Sequence, residues 1–217
     1  MNIDRIDKGL FRLNIPLGTV TTSVYAYVCE QGIALIDSAT YDSDVDGYIL
    51  PMLAELDIRH GDVKFLLLTH DHFDHVGGLR RLMEIFPDAA VGTSFSADLP
   101  NRMPLTDGAK ILGSLVGVYL PGHTDHCYGF YDTSTRTLLS GDCLQLDGIA
   151  KYRDGIWDTP LYIESINKLK RMGIQRIVAA HEYDPLGSTA EGEQAVEHYL
   201  DTCIQIAMRK NACNGRD

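Results

Sequence analysis

The stretch LLLTHDHFDHVGG, Leu66 to Gly78, sets three histidines and two aspartates into the six residues His70 to His75, directly behind a run of aliphatics. The run VKFLLLT, Val63 to Thr69, is short, apolar and bounded by charge, which suits a strand covered on both faces. The polar residues then fall at the end of that strand. On a helix, at about 100° per residue, His72 would face nearly opposite His70 and Asp74, so no single helix converges them. In an extended segment residues 70, 72 and 74 project to one side, and a turn into a following helix swings His75 beside Asp74. Gly77 and Gly78 allow close backbone packing there. That helix is expected from about Asp74 to Phe86, ending before Pro87.

Neutral imidazole and carboxylate are the ligand set of zinc and related first-row metals. Four such groups at one strand end, His70, His72, Asp74 and His75, suggest more than one ion. Read singly, Asp74 is an ordinary helix N-cap and each histidine a solvated loop residue. Read as a pattern, three histidines and an aspartate at this spacing arise in roughly one of a thousand shuffled chains.

Three further segments repeat the theme of a His or Asp just behind a strand. VYLPGHTDH supplies His123, LLSGD supplies Asp142 and IVAAHE supplies His181. Alone, Asp142 reads as a turn residue and His181 as a cap or surface residue. Six of the 8 histidines lie in these segments, which leaves His60 and His198 as expected surface residues. Around them, TTSVYAYVCE and GIALIDSA read as a strand hairpin. Ser43 to Leu56 has helical spacing, with Asp42, Ser43 and Asp44 as N-cap candidates. LVGVYLPG, CYGFYDT, TLLSGD and IQRIVAAH read as strands; LYIESINKLKRMG and AEGEQAVEHYLDTCIQIAMRK read as helices. Mixed sheets with helices outside them are implied.

With 217 residues, 45% of them hydrophobic, one domain over 1–217 is the expectation, and neither repeat nor linker divides the chain. The net charge of −11 is spread along the sequence, which argues against nucleic acid as a partner. The N-terminal residues lack a basic segment followed by an apolar core, and no run of about 18 apolar residues occurs. A cytoplasmic protein with a small-molecule substrate, without membrane or nucleic-acid partners and with its oligomeric state open, is expected. Cys29, Cys127, Cys143, Cys203 and Cys213 are widely spaced and form no C-x-x-C pair, so reduced, structural cysteines are expected. Strand alternation points Cys143 away from Asp142, toward the core.

The ordered set LIDS, THDHFDH, PGHT, SGD and a final strand-ending His resembles the metallo-β-lactamase superfamily of hydrolases, over nearly the whole chain. The resemblance implies an αββα sandwich of two mixed β-sheets flanked by helices, with the metals at one edge. It implies one metal held by His70, His72 and His123, a second by Asp74, His75 and His181, and Asp142 bridging them. Two divalent ions are implied, zinc first, with iron or manganese as alternatives. Asp37, in LIDS, matches a position that supports the site from behind the ligands; otherwise it caps a strand end. Such an ion pair lowers the pKa of a water between its members toward neutrality, and Asp74 is placed to pass a proton to the leaving group.

The sequence departs from the family pattern in two places. After GHT stand Asp125, His126 and Cys127, so His126 either lines the pocket or sits in a surface turn. Around His181 stand Ala179, Ala180, Glu182 and Tyr183 rather than a glycine-rich loop. Hydrolysis of a small ester, lactone or amide is the expected activity. Tyr183, Trp157, Tyr152 and the segment Ser94 to Lys110 are candidate pocket walls, and Lys151 or Arg153 a candidate anionic anchor. A glyoxalase II-like thioester hydrolase ranks lower, since only about 30 residues follow His181. An iron-dependent persulfide dioxygenase, a flavodiiron-like oxidoreductase and a non-catalytic binding module complete the alternatives.

Overall fold

A computed structural model describes residues 3–95, 98–151 and 155–214. The chain forms two compact units, Met1–Gly113 and Ser114–Asp217.

In the first unit the strands are β1 (Ile3–Asp7), β2 (Leu10–Leu17), β3 (Val20–Cys29), β4 (Gly32–Ile36), β5 (Val63–Leu67), β6 (Ala90–Thr93) and β7 (Arg102–Pro104), joined in that order into one sheet. Pairing is antiparallel from β1 to β4 and parallel from β4 to β7. The sheet is therefore mixed. Leu13 and Ile15 of β2 are buried while the alternate residues Asn14 and Pro16 are exposed. β3 is buried at every position from Thr22 to Tyr27, which matches its near absence of charge. The three-residue strand β8 (Lys110–Leu112) stands at the end of this unit.

A continuous helical segment covers the sheet: α1 (Asp42–Asp44), a π-helical turn (Val45–Ile49) and α2 (Leu50–Glu55). Its Val45, Ile49, Met52 and Leu53 join Leu13, Val24, Ala26 and Leu35 of the sheet in one apolar cluster. The N-cap is Tyr41 rather than one of the three expected residues. Asp44 instead reaches back and accepts from the Tyr41 N–H at 2.9 Å and the Thr40 N–H at 3.2 Å.

The helix expected over Asp74 to Phe86 is two helices, α3 (Phe73–Val76) and α4 (Leu79–Ile85). The cause is the glycine pair between them. A Cβ on Gly77 would lie 1.8 Å from the Thr40 carbonyl oxygen, and one on Gly78 2.2 Å from that of Ser38. Here the chain passes directly against the loop that follows β4, and the Gly77 N–H donates to Ala39 O at 3.0 Å. That contact displaces a regular helix.

The second unit holds β9 (Leu115–Tyr119), β10 (Tyr128–Asp132), β11 (Thr137–Gly141), β12 (Arg176–Ala179) and β13 (Thr189–Glu191), lying side by side in the order β13-β12-β11-β10-β9. Only β11 with β12 is parallel among these pairs. The helices are α5 (Gly148–Lys151), α6 (Thr159–Lys170) and α7 (Glu193–Asn214). Asp158 caps α6, accepting from the Leu161 N–H at 2.9 Å. Tyr162, Ile166 and Leu169 of α6 and Tyr199, Leu200 and Cys203 of α7 are buried. The closing helix begins three residues later than its sequence pattern suggests, because Ala190 and Glu191 belong to β13 and Gly192, at φ 89°, turns the chain.

Burial pushes the Cys203 thiol up to about 12, despite hydrogen bonds from the Leu146 N–H and the Tyr162 hydroxyl, so it is a protonated core residue. Cys29, Cys127, Cys143 and Cys203 form no disulfide, as expected; the side chain of Cys213 lies outside the described residues. No helix among the described residues is long and apolar enough to cross a membrane.

The glycine pair generates a clean test. Gly77→Ala and Gly78→Ala should each destabilise the fold by about 1–3 kcal/mol or more, since the obstructing atoms are backbone. Gly47→Ala, with open space around its Cβ position, should instead raise stability by up to about 1 kcal/mol. Thermal denaturation of the three variants checks the contrast.

Candidate metal centre

In the first unit the residues from β5 into α3 carry the ligand candidates. His70 is 1% exposed and His75 fully buried. The His70 ring lies with its centroid 4.7 Å from that of His72 and 4.2 Å from that of His75. Asp74 Oδ2 lies 3.5 Å from His75 Nε2. β5 ends at Leu67, the chain bends at Thr69 and Asp71, and His72 is the N-cap of α3, with Asp74 in the first helical turn. Asp74 is thus not in line with His70 and His72 along a strand, as the alternation reading had it; the turn begins one residue earlier.

Behind these residues sits Asp37, whose side chain is wholly buried. Its Oδ2 meets His75 Nδ1 at 2.8 Å, and its Oδ1 accepts the Thr69 N–H at 2.8 Å. The Thr69 hydroxyl lies 2.9 Å from Asp37 Oδ2 and 3.0 Å from His70 Nδ1. A carboxylate accepts only, so the Nδ1 of His75 carries the proton and the ring's lone pair falls on Nε2, the atom that could take a metal. A hydroxyl donating to Asp37 accepts from His70 Nδ1–H and sets the same tautomer there. Asp37 and Ala39 adopt φ of 63° and 61°, in the left-handed region. Between them Ser38 donates both its N–H and its hydroxyl to His75 O, each at 2.8 Å.

The second unit presents its own cluster at the ends of β11 and β12 and in the loop after β9. Asp142 is 4% exposed; its Oδ1 lies 3.2 Å from His181 Nε2 and its Oδ2 3.7 Å from His123 Nε2. His123 Nδ1 donates to Gly155 O at 3.0 Å, which again puts the lone pair on Nε2. The Ala180 N–H donates to Gly141 O at 3.3 Å and holds His181 beside Asp142. Gln145 Nε2 donates to Asp142 Oδ2.

Residues 17–104 match the sequence profile of the metallo-β-lactamase superfamily. A metallo-β-lactamase from Cronobacter sakazakii superposes with a TM-score of 0.75 over 100% of this chain and 96% of that one, at 17% identity. Residues 17–104 thus resemble the metallo-β-lactamase superfamily, and the chain shares the fold of that solved metallo-β-lactamase. It has the fold of that superfamily, as its motifs imply. Among proteins of known name, the hydroxyacylglutathione hydrolase of Hahella chejuensis is 36% identical over 139 residues, which make up 61% of this chain and 53% of that protein. The chain therefore spans about half the length of that relative. The hydroxyacylglutathione hydrolase of Francisella philomiragia is 29% identical over 183 residues, covering 77% of this chain and 72% of that protein.

The other residues singled out in the sequence fall as follows. Tyr183 is buried, its ring centroid 5.5 Å from that of His181. Lys151 Nζ stands 5.6 Å from the centre of the Tyr183 ring and 2.9 Å from Asp147 Oδ2. The Trp157 side chain is 62% exposed, although its N–H donates to the carbonyls of Gly122 and His123 at 2.8 and 3.2 Å. His126 is half-buried beside Asp125, at 3.3 Å, in the turn after the His123 loop. Cys143 is buried, and His60 and His198 are exposed. Tyr152 and Arg153 lie outside the described residues, as do residues 96 and 97 of the segment from Ser94 to Lys110. Thr69 and Gln145 escaped the sequence reading, since a single threonine and a single glutamine carry no spacing signal.

Thr69→Val removes the hydroxyl between two buried groups and should cost about 1–3 kcal/mol of stability. Thr69→Ser keeps the hydroxyl and should stay within about 1 kcal/mol of the unmodified protein. Urea denaturation of both separates the role of the hydroxyl from that of the methyl.

Proposed function

We propose that the two clusters serve one hydrolytic centre for small carbonyl substrates, an ester, lactone or amide. His70, His72 and His123 would hold one divalent ion, Asp74, His75 and His181 a second, and Asp142 would be shared. The donor chemistry fits such ions: His75 and His123, with Nδ1 committed to Asp37 and to Gly155 O, present Nε2, and the buried carboxylate of Asp142 stands between His123 and His181. Zinc is the ion that this mixture of nitrogen and oxygen ligands suits first. Bound ions of this kind polarise a carbonyl oxygen and lower the pKa of water.

The rest is work for the chain itself. Asp74 is assigned as the proton carrier because its side chain is 22% exposed, whereas that of Asp37 is 0% exposed and committed to His75 and Thr69. Asp37 and Thr69 keep two imidazoles in one tautomer, so that binding requires no proton shift on the ring. Tyr183, its ring near His181, supplies apolar surface for the substrate, and Lys151 beyond it supplies a cation for an anionic substituent. The observation that carries the reading is the pair of buried imidazole–carboxylate clusters in a chain of this fold.

A second reading, a thioester hydrolase, is favoured by the likeness to the hydroxyacylglutathione hydrolases of Hahella chejuensis and Francisella philomiragia. Lys151 suits the anionic substituent that such a substrate would bring.

Elemental analysis of protein purified without added metal should find two divalent ions per chain, zinc foremost. Ester, lactone and thioester substrates should be turned over, and chelators should abolish that turnover. Asp74→Asn should lower kcat by about 10²–10⁴-fold in a folded, metal-loaded protein. Asp142→Ala should lose both metal and activity, while Cys143→Ala should change either little. A single iron per chain with persulfide-dependent oxygen uptake and no hydrolysis would overturn the reading.

A further inference from the structure

We propose that Gln145 is a positioning residue that fixes the orientation of the Asp142 carboxylate and thereby sets the affinity of the chain for divalent metal. The inference rests on the assignment of Asp142 as a shared metal ligand. Gln145 stands three residues beyond Asp142 and is 4% exposed. Its Nε2 donates to Asp142 Oδ2, the oxygen nearer His123, while Oδ1 of the same carboxylate faces His181. A carboxylate attached through an sp³–sp² torsion has only a broad, two-fold rotational preference of its own. Directing its two oxygens toward two different imidazoles therefore needs an external hold. The amide N–H supplies one and leaves a second lone pair on Oδ2 for a ligand.

The backbone around Gln145 is built to aim that amide. Its N–H donates to the hydroxyl of the fully buried Tyr162 at 3.4 Å, and its carbonyl accepts from the Gly148 N–H at 2.8 Å. Tyr162 is itself fixed to the His123 loop, because a Cβ on Gly122 would lie 2.4 Å from Tyr162 Cα. One buried tyrosine thus references both His123 and Gln145.

The other end of the amide shows what the residue is for. Gln145 Oε1 is buried and has no hydrogen-bond partner among the described residues. An unsatisfied buried carbonyl costs free energy that a methionine of similar shape would avoid. The fold alone gains little from an amide satisfied at one end; the carboxylate gains a fixed donor. Turning the amide over would set its oxygen against the carboxylate, so the orientation with Nε2 toward Asp142 is the one that the charge permits.

The test is competition for Zn²⁺ between metal-free protein and a chromophoric chelator, with circular dichroism and melting temperature as controls for folding. Gln145→Met should melt close to the unmodified protein yet bind Zn²⁺ about 10–100-fold more weakly, the loss typical of a group that orients a ligand. The visible spectrum of the Co²⁺-loaded variant should shift, which a purely structural residue would not cause. If Gln145→Met does not fold, Gln145→Asn asks the same question, since its amide is too short to reach Asp142. Asp142→Ala separates the two levels of the argument. It should bind Zn²⁺ weakly, and adding Gln145→Met to it should cause no further loss. A folded Gln145 variant with unchanged Zn²⁺ affinity, beside a weakly binding Asp142→Ala, would overturn the role of Gln145 alone. Unchanged affinity in Asp142→Ala would overturn the ligand assignment beneath it.

Discussion

The carboxylate of Asp37 is the constraint on which the first unit turns. A fully buried anion is tolerated only with its oxygens occupied by donors. Here they come from the Thr69 N–H, the Thr69 hydroxyl and His75 Nδ1. Supplying them requires β4 to end beside β5 in parallel, with the Asp37 N–H donating to Leu67 O at 2.8 Å, and requires α3 to begin close enough for His75 to return. The left-handed turns at Asp37 and Ala39 follow from the same demand, as does the pressing of Gly77 and Gly78 against Thr40 and Ser38. The ligand candidates sit where they do because the backbone behind them is committed to satisfying one buried charge. The direction of causation runs from charge to turn to ligand.

The second unit solves the same problem with weaker partners. His123 leans on a neutral carbonyl, that of Gly155, where His75 leans on a carboxylate. A carboxylate behind an imidazole raises the basicity of the opposite nitrogen more than a carbonyl does. His75 and His123 are therefore electronically unequal before any ion arrives. In the second unit the buried charge is Asp142 itself, and Gln145 and the neighbouring imidazoles stand around it. One unit buries its carboxylate behind His75 and Thr69, and the other sets its carboxylate between His123 and His181.

The order of elements and the ligand candidates were legible in the sequence because both depend on local signals. Aliphatic runs such as VKFLLLT and TLLSG mark β5 and β11, and clustered His and Asp at their ends mark what they present. The weak points have specific physical causes. β1 and β2 alternate charge with aliphatics and resemble a polar N-terminal arm until they pair with each other and with β3. β7, β8 and β13 are three residues long and exist only through their neighbours. The helical periodicity from Asp74 to Phe86 is real, yet a tertiary contact at two glycines overrides it. Gln145 and Thr69 became visible only through what they touch. Residue type and spacing announce ligands; the groups that orient ligands are announced by geometry.

The charge of the chain bears on what the centre would attract. The net charge of −11 alone would repel anionic substrates. Such a field is screened within about 8–10 Å at physiological salt, so the local charge decides. Locally the candidates are four buried histidines, the half-buried His72 and the carboxylates of Asp37, Asp74 and Asp142, one of them turned inward to His75 and Thr69. Divalent ions held by side chains of this kind would bring positive charge that favours carbonyl oxygen and tolerates a nearby anion. Lys151, over the Tyr183 ring, extends that positive character away from the ligands. Lys151 and Tyr183 belong to the segments around α5 and after β12, outside the THDHFDH motif. On the proposed reading the chemistry would be carried by residues at strand ends, and discrimination between a neutral ester and an anionic thioester would fall to loop residues that can change without disturbing those candidates.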